Sequence, residues 1–298
     1  MPWREPSVKK KPICTFATSL LALVCLACAP RSTPALGQVE AKKASVETLL
    51  KLFVDECLLI SPGNESFPAT FQFGGTSSGP FSLPARELKM SGEFRISKYE
   101  VTQELYEAIM GKNPSRWKGT RNSVETVSFQ DAQQFCLQLT TMLQVKKLIK
   151  GNEQVRLPTE AEWEFCCRAG TSTPFSFGDS ATAEGDQDNQ ATLLSQFGWH
   201  TGNAAGNDPV VGSLKPNPWG LYDMHGYLWE FVGDAYTAPG TVQENSHPEA
   251  SSQSSQAARV IRGGSWRNHY SLLTSDSRMP IPDHAASDAI GFRCVIAR

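Results

Sequence analysis

Eight cysteines and five histidines are the side chains of this 298-residue sequence best suited to redox, metal or nucleophilic chemistry. Such chemistry requires them to converge, as Cys-x-x-Cys pairs or histidines one helical turn apart do. Cys57, Cys136, Cys166, Cys167 and Cys294 include no Cys-x-x-Cys pair, and His200, His225, His247, His269 and His284 show no i, i+4 spacing on a helix. A structural zinc site is therefore not expected. A nucleophile elbow at a strand-to-helix turn, a His-Glu-x-x-His motif and a phosphate-cradling glycine loop are missing as well. Gly263-Gly264-Ser265 has no accompanying base and reads as a close backbone approach rather than a nucleophile.

Cys14, Cys25 and Cys28 lie in a segment of a different kind. Arg4, Lys9, Lys10 and Lys11 precede an apolar run from Phe16 to Ala29, long enough for a signal h-region and short for a membrane span. Ala35-Leu36-Gly37 before Gln38 fits a leader-peptidase site, whereas a lipoprotein reading needs an aliphatic residue three before Cys28 and meets Cys25. Residues 1–37 are expected to be a signal peptide, 38–56 a lead-in helix and linker, and 57–298 the functional domain. The mature protein is then secreted or periplasmic, with no stable membrane span after cleavage. The full chain carries 28 basic and 30 acidic side chains; without the leader the counts are 23 and 29, or about −6. This acidic balance excludes nucleic acid as the partner. The five cysteines left after export are an odd number, so at least one thiol stays unpaired within the chain.

The elements that would position these side chains are few. Val46, Leu49, Leu50, Phe53 and Val54 recur at helical spacing between Ala44 and Leu59, with Ser45 as cap and Pro62-Gly63 as terminator. Alternation over Glu93–Tyr99 predicts a half-buried strand, and Thr102 caps a helix that closes at Gly111. Ser128 opens the clearest helix, which turns Ala132, Phe135, Cys136, Leu139, Met142 and Leu143 to one side. Thr159 and Glu162 have capping-box spacing, with Gly170 placed to end that helix. Beyond Gly170 the chain is rich in turns, with strand-like pieces at 210–214, 228–232, 260–262 and 291–296 and a polar insertion from Gln243 to Ala258. No period of 20 to 50 residues recurs. The pattern predicts a loop-rich α+β fold with short strands and few helices.

Five blocks carry a family resemblance: Lys98-Tyr99-Glu100-Val101-Thr102, Arg156–Glu164, Gly220-Leu221-Tyr222-Asp223-Met224-His225-Gly226, Arg262–Trp266 and Gly291-Phe292-Arg293. In this order, over roughly residues 57–298, they resemble the formylglycine-generating enzymes, or sulfatase-modifying factors. The resemblance implies a C-type-lectin-like fold, an exported setting and structural calcium. The family's enzymes oxidise a substrate cysteine with oxygen at a copper held by two thiolates between the Gly-Gly-Ser and Gly-Phe-Arg blocks. Here the interval Arg267–Ile290 contains no cysteine. Copper(I) needs soft ligands, so copper is not expected and no catalytic residue is assigned.

The resemblance further implies calcium held by Asp223, the Gly226 and Leu228 carbonyls and Glu230, although Tyr227 and Phe231 depart from the common Asn and Trp. It implies a disulfide between Cys136 and Cys294, and a second one from Cys167 whose partner falls in the cysteine-free interval. Cys166 and Cys167 are then core thiols, or one of them pairs with Cys57. Trp219, Ser265, His269 and Tyr270 are candidates for a ligand groove, while Trp229 and Trp266 are better read as core anchors. The expected function is a non-catalytic domain binding an exported peptide, protein or glycan. The alternative is a formylglycine-generating-type or other oxidoreductase acting on protein substrates.

Overall fold

A computed structural model describes residues 44–75, 80–204, 208–239 and 258–298. The expected leader, residues 38–43 and the insertion through residue 257 lie outside them. Ser45 caps helix α1 (Val46–Asp55) by accepting the Thr48 amide, and Leu49, Leu50 and Phe53 form its buried stripe. The helix ends at Asp55 rather than reaching Leu59. Cys57–Ile60 forms strand β1, because this apolar run finds a ladder partner in β4 (Phe94–Ser97), with Cys57 opposite Ser97. A short apolar run has no periodicity that separates helix from strand. Between them, β2 (Thr70–Phe73) and β3 (Arg86–Lys89) make a separate antiparallel pair.

Helix α2 (Gln103–Met110) ends on left-handed Gly111, α3 (Phe129–Val145) opens on a Ser128–Asp131 capping box, and α4 (Glu160–Arg168) on the Thr159–Glu162 box. Tyr106 of α2 stacks on Phe135 of α3 at 5.4 Å, and Phe292 meets Phe135 edge-on. These contacts tie the helices to the C-terminal segment.

Two four-stranded sheets share that segment. The first runs β1-β4-β10-β5, with β5 at Gln154–Arg156 and β10 at Val295–Ala297. The second runs β8-β7-β6-β9, with β6 at Trp229–Ala235, β7 at Ala258–Arg262, β8 at Arg278–Pro282 and β9 at Ile290–Gly291. The expected strand at 291–296 thus splits: the chain leaves one sheet after Gly291 and enters the other at Val295, with Phe292, Arg293 and Cys294 fully buried between. The strand expected at 210–214 reduces to one bridge, Asn122 to Val210.

Charged side chains hold the loops where regular ladders are missing. Glu164 of α4 accepts from Arg168 Nε at 2.8 Å, from the Gly74 amide at 2.7 Å and from Arg262 Nη2. Arg262 also donates to the carbonyls of Ser275, Asp276 and Ser277, and Glu160 receives Arg278 at 2.6 and 3.1 Å. Removing Arg262 leaves Glu164 with Arg168 as its one remaining arginine and strips the donor from three loop carbonyls, a combined loss approaching that of a broken buried pair, about 3–5 kcal/mol. Arg262→Met should lower unfolding free energy by that order in urea titrations. A loss below about 1 kcal/mol would mean that the loop carbonyls and Glu164 find water or other donors.

Candidate functional site

The interval in which the family's enzymes carry thiolates is occupied by an amide hub and an apolar plug. Asn268 Oδ1 accepts from the Ser265 amide at 3.0 Å, the Ser265 hydroxyl at 2.7 Å and Trp229 Nε1 at 2.9 Å. Its backbone carbonyl accepts from both the amide and hydroxyl of Thr201. Leu273 is fully buried against Gly226 and Gly264. Both glycines have positive φ, and a Cβ on either would stand less than 3 Å from a Leu273 methyl. The closeness read from Gly263-Gly264 thus lodges this leucine. Neither Asn268 nor Leu273 supplies a soft ligand.

The five cysteines among the described residues are unbridged in this structure and set into the core or its edge. Cys136 and Cys294 face each other with sulfurs 3.8 Å apart. Cys57 packs with the first helices and donates to the Phe53 carbonyl, whereas Cys166 and Cys167 belong to the cluster around Trp163, so Cys57 pairs with neither. Burial pushes the Cys167 thiol up to about 12, against a smaller opposing effect of the Ser275 hydroxyl. Ser275 therefore stands beside the thiol whose disulfide partner the interval was expected to lack.

Cys167 lies 3.9 Å from both ring nitrogens of His225, an arrangement that superficially suggests a nucleophile and base. The proton inventory excludes it. His225 Nδ1 donates to the Leu273 carbonyl at 2.9 Å, and Nε2 accepts the Ser176 amide at 3.1 Å, so the neutral ring is fully engaged. Burial depresses this imidazole to about 4. His200 is equally unsuited as a base toward Ser195: Nδ1 accepts the Gly202 amide, which leaves Nε2–H to donate to the serine at 3.0 Å.

Around the Gly220–Gly226 block, carboxylates outnumber cations. Glu230 receives Arg293 Nε and Nη2, each at 2.7 Å, and Trp163 Nε1 at 2.9 Å. Asp223 sits in the left-handed region with φ 59°; its Oδ2 accepts the Gly212 amide at 3.0 Å, while its buried Oδ1 has no partner. Glu100 accepts the Leu228 amide and the Ser123 hydroxyl. Burial, with Glu230 and Asp223 adding repulsion, pushes Glu100 well above the carboxylate range, and burial raises Asp223 to about 6. Among the described residues no three acidic, His or Cys side chains converge tightly enough to hold an ion alone. Of the side-chain oxygens in the expected calcium set, Asp223 Oδ1 alone is unpartnered and open to a hard cation, because both Glu230 oxygens are already held by Arg293 and Trp163.

With that geometry in view, the sulfatase-modifying factor enzyme 1-like domain matches residues 42–298. The chain belongs to this family. It is similar to the formylglycine-generating enzyme of Mus musculus, 33% identical over 149 residues, which cover 47% of this chain and 38% of that protein. The inactive C-alpha-formylglycine-generating enzyme 2 of Mus musculus is 34% identical over 152 residues, covering 47% of this chain and 42% of that one. The chain spans less than half the length of these two curated relatives. The solved structure of PvdO from Pseudomonas aeruginosa superposes with a TM-score of 0.62 at 24% identity, over 81% of this chain and 94% of that one. The sulfatase-modifying factor fold, α+β and C-type-lectin-like, is thus the fold of this chain.

Within this family member the expected groove residues differ in their settings. Trp219 packs edge-on against Phe67 and Phe165, both at 4.8 Å, and serves as a core anchor. Ser265 is buried under Asn268, whereas His269 is exposed and lies over the half-buried Tyr270 at 4.0 Å. Trp229 is core, as expected, but Trp266 is half-exposed. Sequence reasoning passed over Asp288, which meets Trp266 and Arg267, and Arg116, which reaches the same carboxylate and lies over Trp117. The adjacent Arg116-Trp117 after a turn was a visible signal; its partner Asp288, 172 residues from Arg116, was not.

His225 yields a pH prediction. Its folded pKa of about 4 lies below the ordinary value of 6.5, so the unfolded chain binds the proton first as pH falls. This contribution is whole above pH 6.5 and is lost between 6.5 and 4, by about 3 kcal/mol. Asp223 and Asp234, raised to about 6 and about 7, oppose it by gaining protons in the folded state. Subtracting the stability curve of His225→Gln from that of the parent should isolate the imidazole's slope over this range. Parallel curves would show that the ring is not held neutral.

Proposed function

We propose that this chain is a non-catalytic sulfatase-modifying-factor domain that binds an exported peptide, protein or glycan. The carrying observation is the Asn268 hub and the Leu273 plug in the interval where copper chemistry requires two thiolates. The fully buried, strongly raised thiols of Cys166 and Cys167 do not substitute, since the reactive species is the thiolate. The relative named as inactive is consistent with this reading. Purified protein with copper, reductant and a Cys-x-Pro-x-Arg peptide should leave the peptide mass unchanged. Time-dependent conversion to the aldehyde above a metal-only control would restore the oxidase assignment.

The domain is secreted or periplasmic in this proposal, which rests on the basic n-region, short apolar run and Ala-x-Gly site of residues 1–37. Calcium is structural, held by Asp223 and Glu230 with the Gly226 and Leu228 carbonyls; it would neutralise charge that Arg293 alone does not balance. An oxidising compartment would close the Cys136–Cys294 pair, and the chain-entropy account gives such a long loop about 4–5 kcal/mol. Melting temperature tests both. It should fall with chelator and with reductant, the chelator effect vanishing in Asp223→Ala and the reductant effect in Cys294→Ala. Indifference to chelator and to added calcium would remove the ion from the account, and indifference to reductant would remove the bridge.

A further inference from the structure

We propose that the Arg116–Trp117 and Trp266–Arg267 pairs form one docking surface for an acidic peptide segment. This rests on the binding-domain reading and names the class of partner. The Arg116 guanidinium lies 4.9 Å from the Trp117 ring centre, and that of Arg267 lies 4.7 Å from the Trp266 ring. One carboxylate joins the two stacks: Asp288 receives Arg116 Nη1 at 3.1 Å and Arg267 Nη2 at 2.6 Å. Trp266 Nε1 donates to the Asp288 carbonyl at 3.0 Å, which completes the junction.

The arrangement is asymmetric. The side chains of Arg116 and Arg267 are 62% and 48% exposed, whereas that of Asp288 is 7% exposed. The other nearby acid, Glu125, is buried beneath the loop, where it accepts the backbone amides of Arg116 and Trp117. Solvent therefore meets guanidinium donors in front and carboxylates behind. Each guanidinium has five N–H donors in a planar fork, and Asp288 uses only part of each set.

The surface is also stiff. Glu125 holds the Arg116 and Trp117 amides, Gln103 Nε2 donates to the Trp117 carbonyl at 2.7 Å, and Asn113 accepts the Ser115 amide at 3.0 Å. Trp117 is nonetheless 46% exposed. A large aromatic fixed at the surface by its backbone loses little freedom on binding, the property of an interface anchor. Guanidinium forks beside indole rings suit a carboxylate flanked by apolar side chains, with bidentate pairing and ring contact together. A long polyanion is disfavoured by the chain's net charge of −2, whereas a short acidic segment meets only the local cations.

The test is fluorescence anisotropy of the full chain with a labelled peptide alternating Glu and Phe, against a peptide alternating Lys and Phe and against heparin. The acidic peptide should bind, weaken as salt rises, and lose about tenfold or more in affinity in each of Arg116→Ala, Arg267→Ala and Trp117→Ala. Melting temperatures matched to the parent, at least in the two arginine variants, separate lost contacts from lost fold. Absence of binding, equal binding of the Lys peptide, tighter binding of heparin, or indifference to both arginine substitutions would overturn the docking surface and leave the binding-domain reading standing. Copper-dependent conversion of the Cys-x-Pro-x-Arg peptide would overturn that reading instead.

Discussion

Arg293 joins both four-stranded sheets and the central loop through one buried side chain. It lies on the short passage from β9 in one sheet to β10 in the other and is fully buried there. Its guanidinium grips Glu230 of β6 in the second sheet, donates to the Ser97 and Lys98 carbonyls at the end of β4 in the first, and reaches the Tyr222 carbonyl of the central loop. A planar fork with five donors can satisfy such a set at once, and a lysine cannot. Two sheets without a common edge are thereby tied through one charged group, in addition to the apolar core they share. The energy of such a pair is a balance of desolvation against attraction; its worth lies in the geometry it enforces.

That geometry has an electrostatic consequence. Glu230 is neutralised by Arg293, but Glu100 and Asp223 are buried within range of the same pair, and burial with mutual repulsion makes their ionisation unfavourable. The site can stay dry only by holding protons or by accepting a cation. The unpartnered Asp223 oxygen marks where such strain is unrelieved. The same logic runs through α4, where Glu164 meets two arginines and Glu160 meets Arg278. In a fold with little regular secondary structure, paired charges do the work that ladders do elsewhere.

Legibility in the sequence followed the range of the interactions. The Ser128 and Thr159 helix starts were readable because capping is local; the Thr159–Glu162 box forms as expected, and Ser128, expected only to open its helix, also forms a box with Asp131. The inward side of α3 was readable from its period, down to Cys136. Leu58 and Leu59 were misread as helix because only their pairing with β4 decides their state. The division of 291–296 between two sheets was invisible for the same reason: a short strand-like piece does not announce where its partners change. At the site, chemistry was legible as absence, in the missing thiolates. What replaced them was not, since the Asn268 hub depends on Trp229 arriving from 39 residues away.

The Asn268 and Leu273 contacts explain how this interval packs without cysteines. A thiolate pair removed without substitution would leave polar donors at Ser265 and Trp229 unanswered and a void beside the left-handed glycines. Unpaired buried donors cost about 1–3 kcal/mol each, and a cavity adds its own penalty. Asn268 answers three donors with one oxygen, and Leu273 fills the glycine-lined space with a side chain that has no polar atoms to satisfy. Neither repair touches Arg293, Glu230 or the paired charges of α4. The packing of this interval is therefore physically separate from the charges that hold the fold, and the half-buried Trp266 and the exposed Arg267 stand beside it.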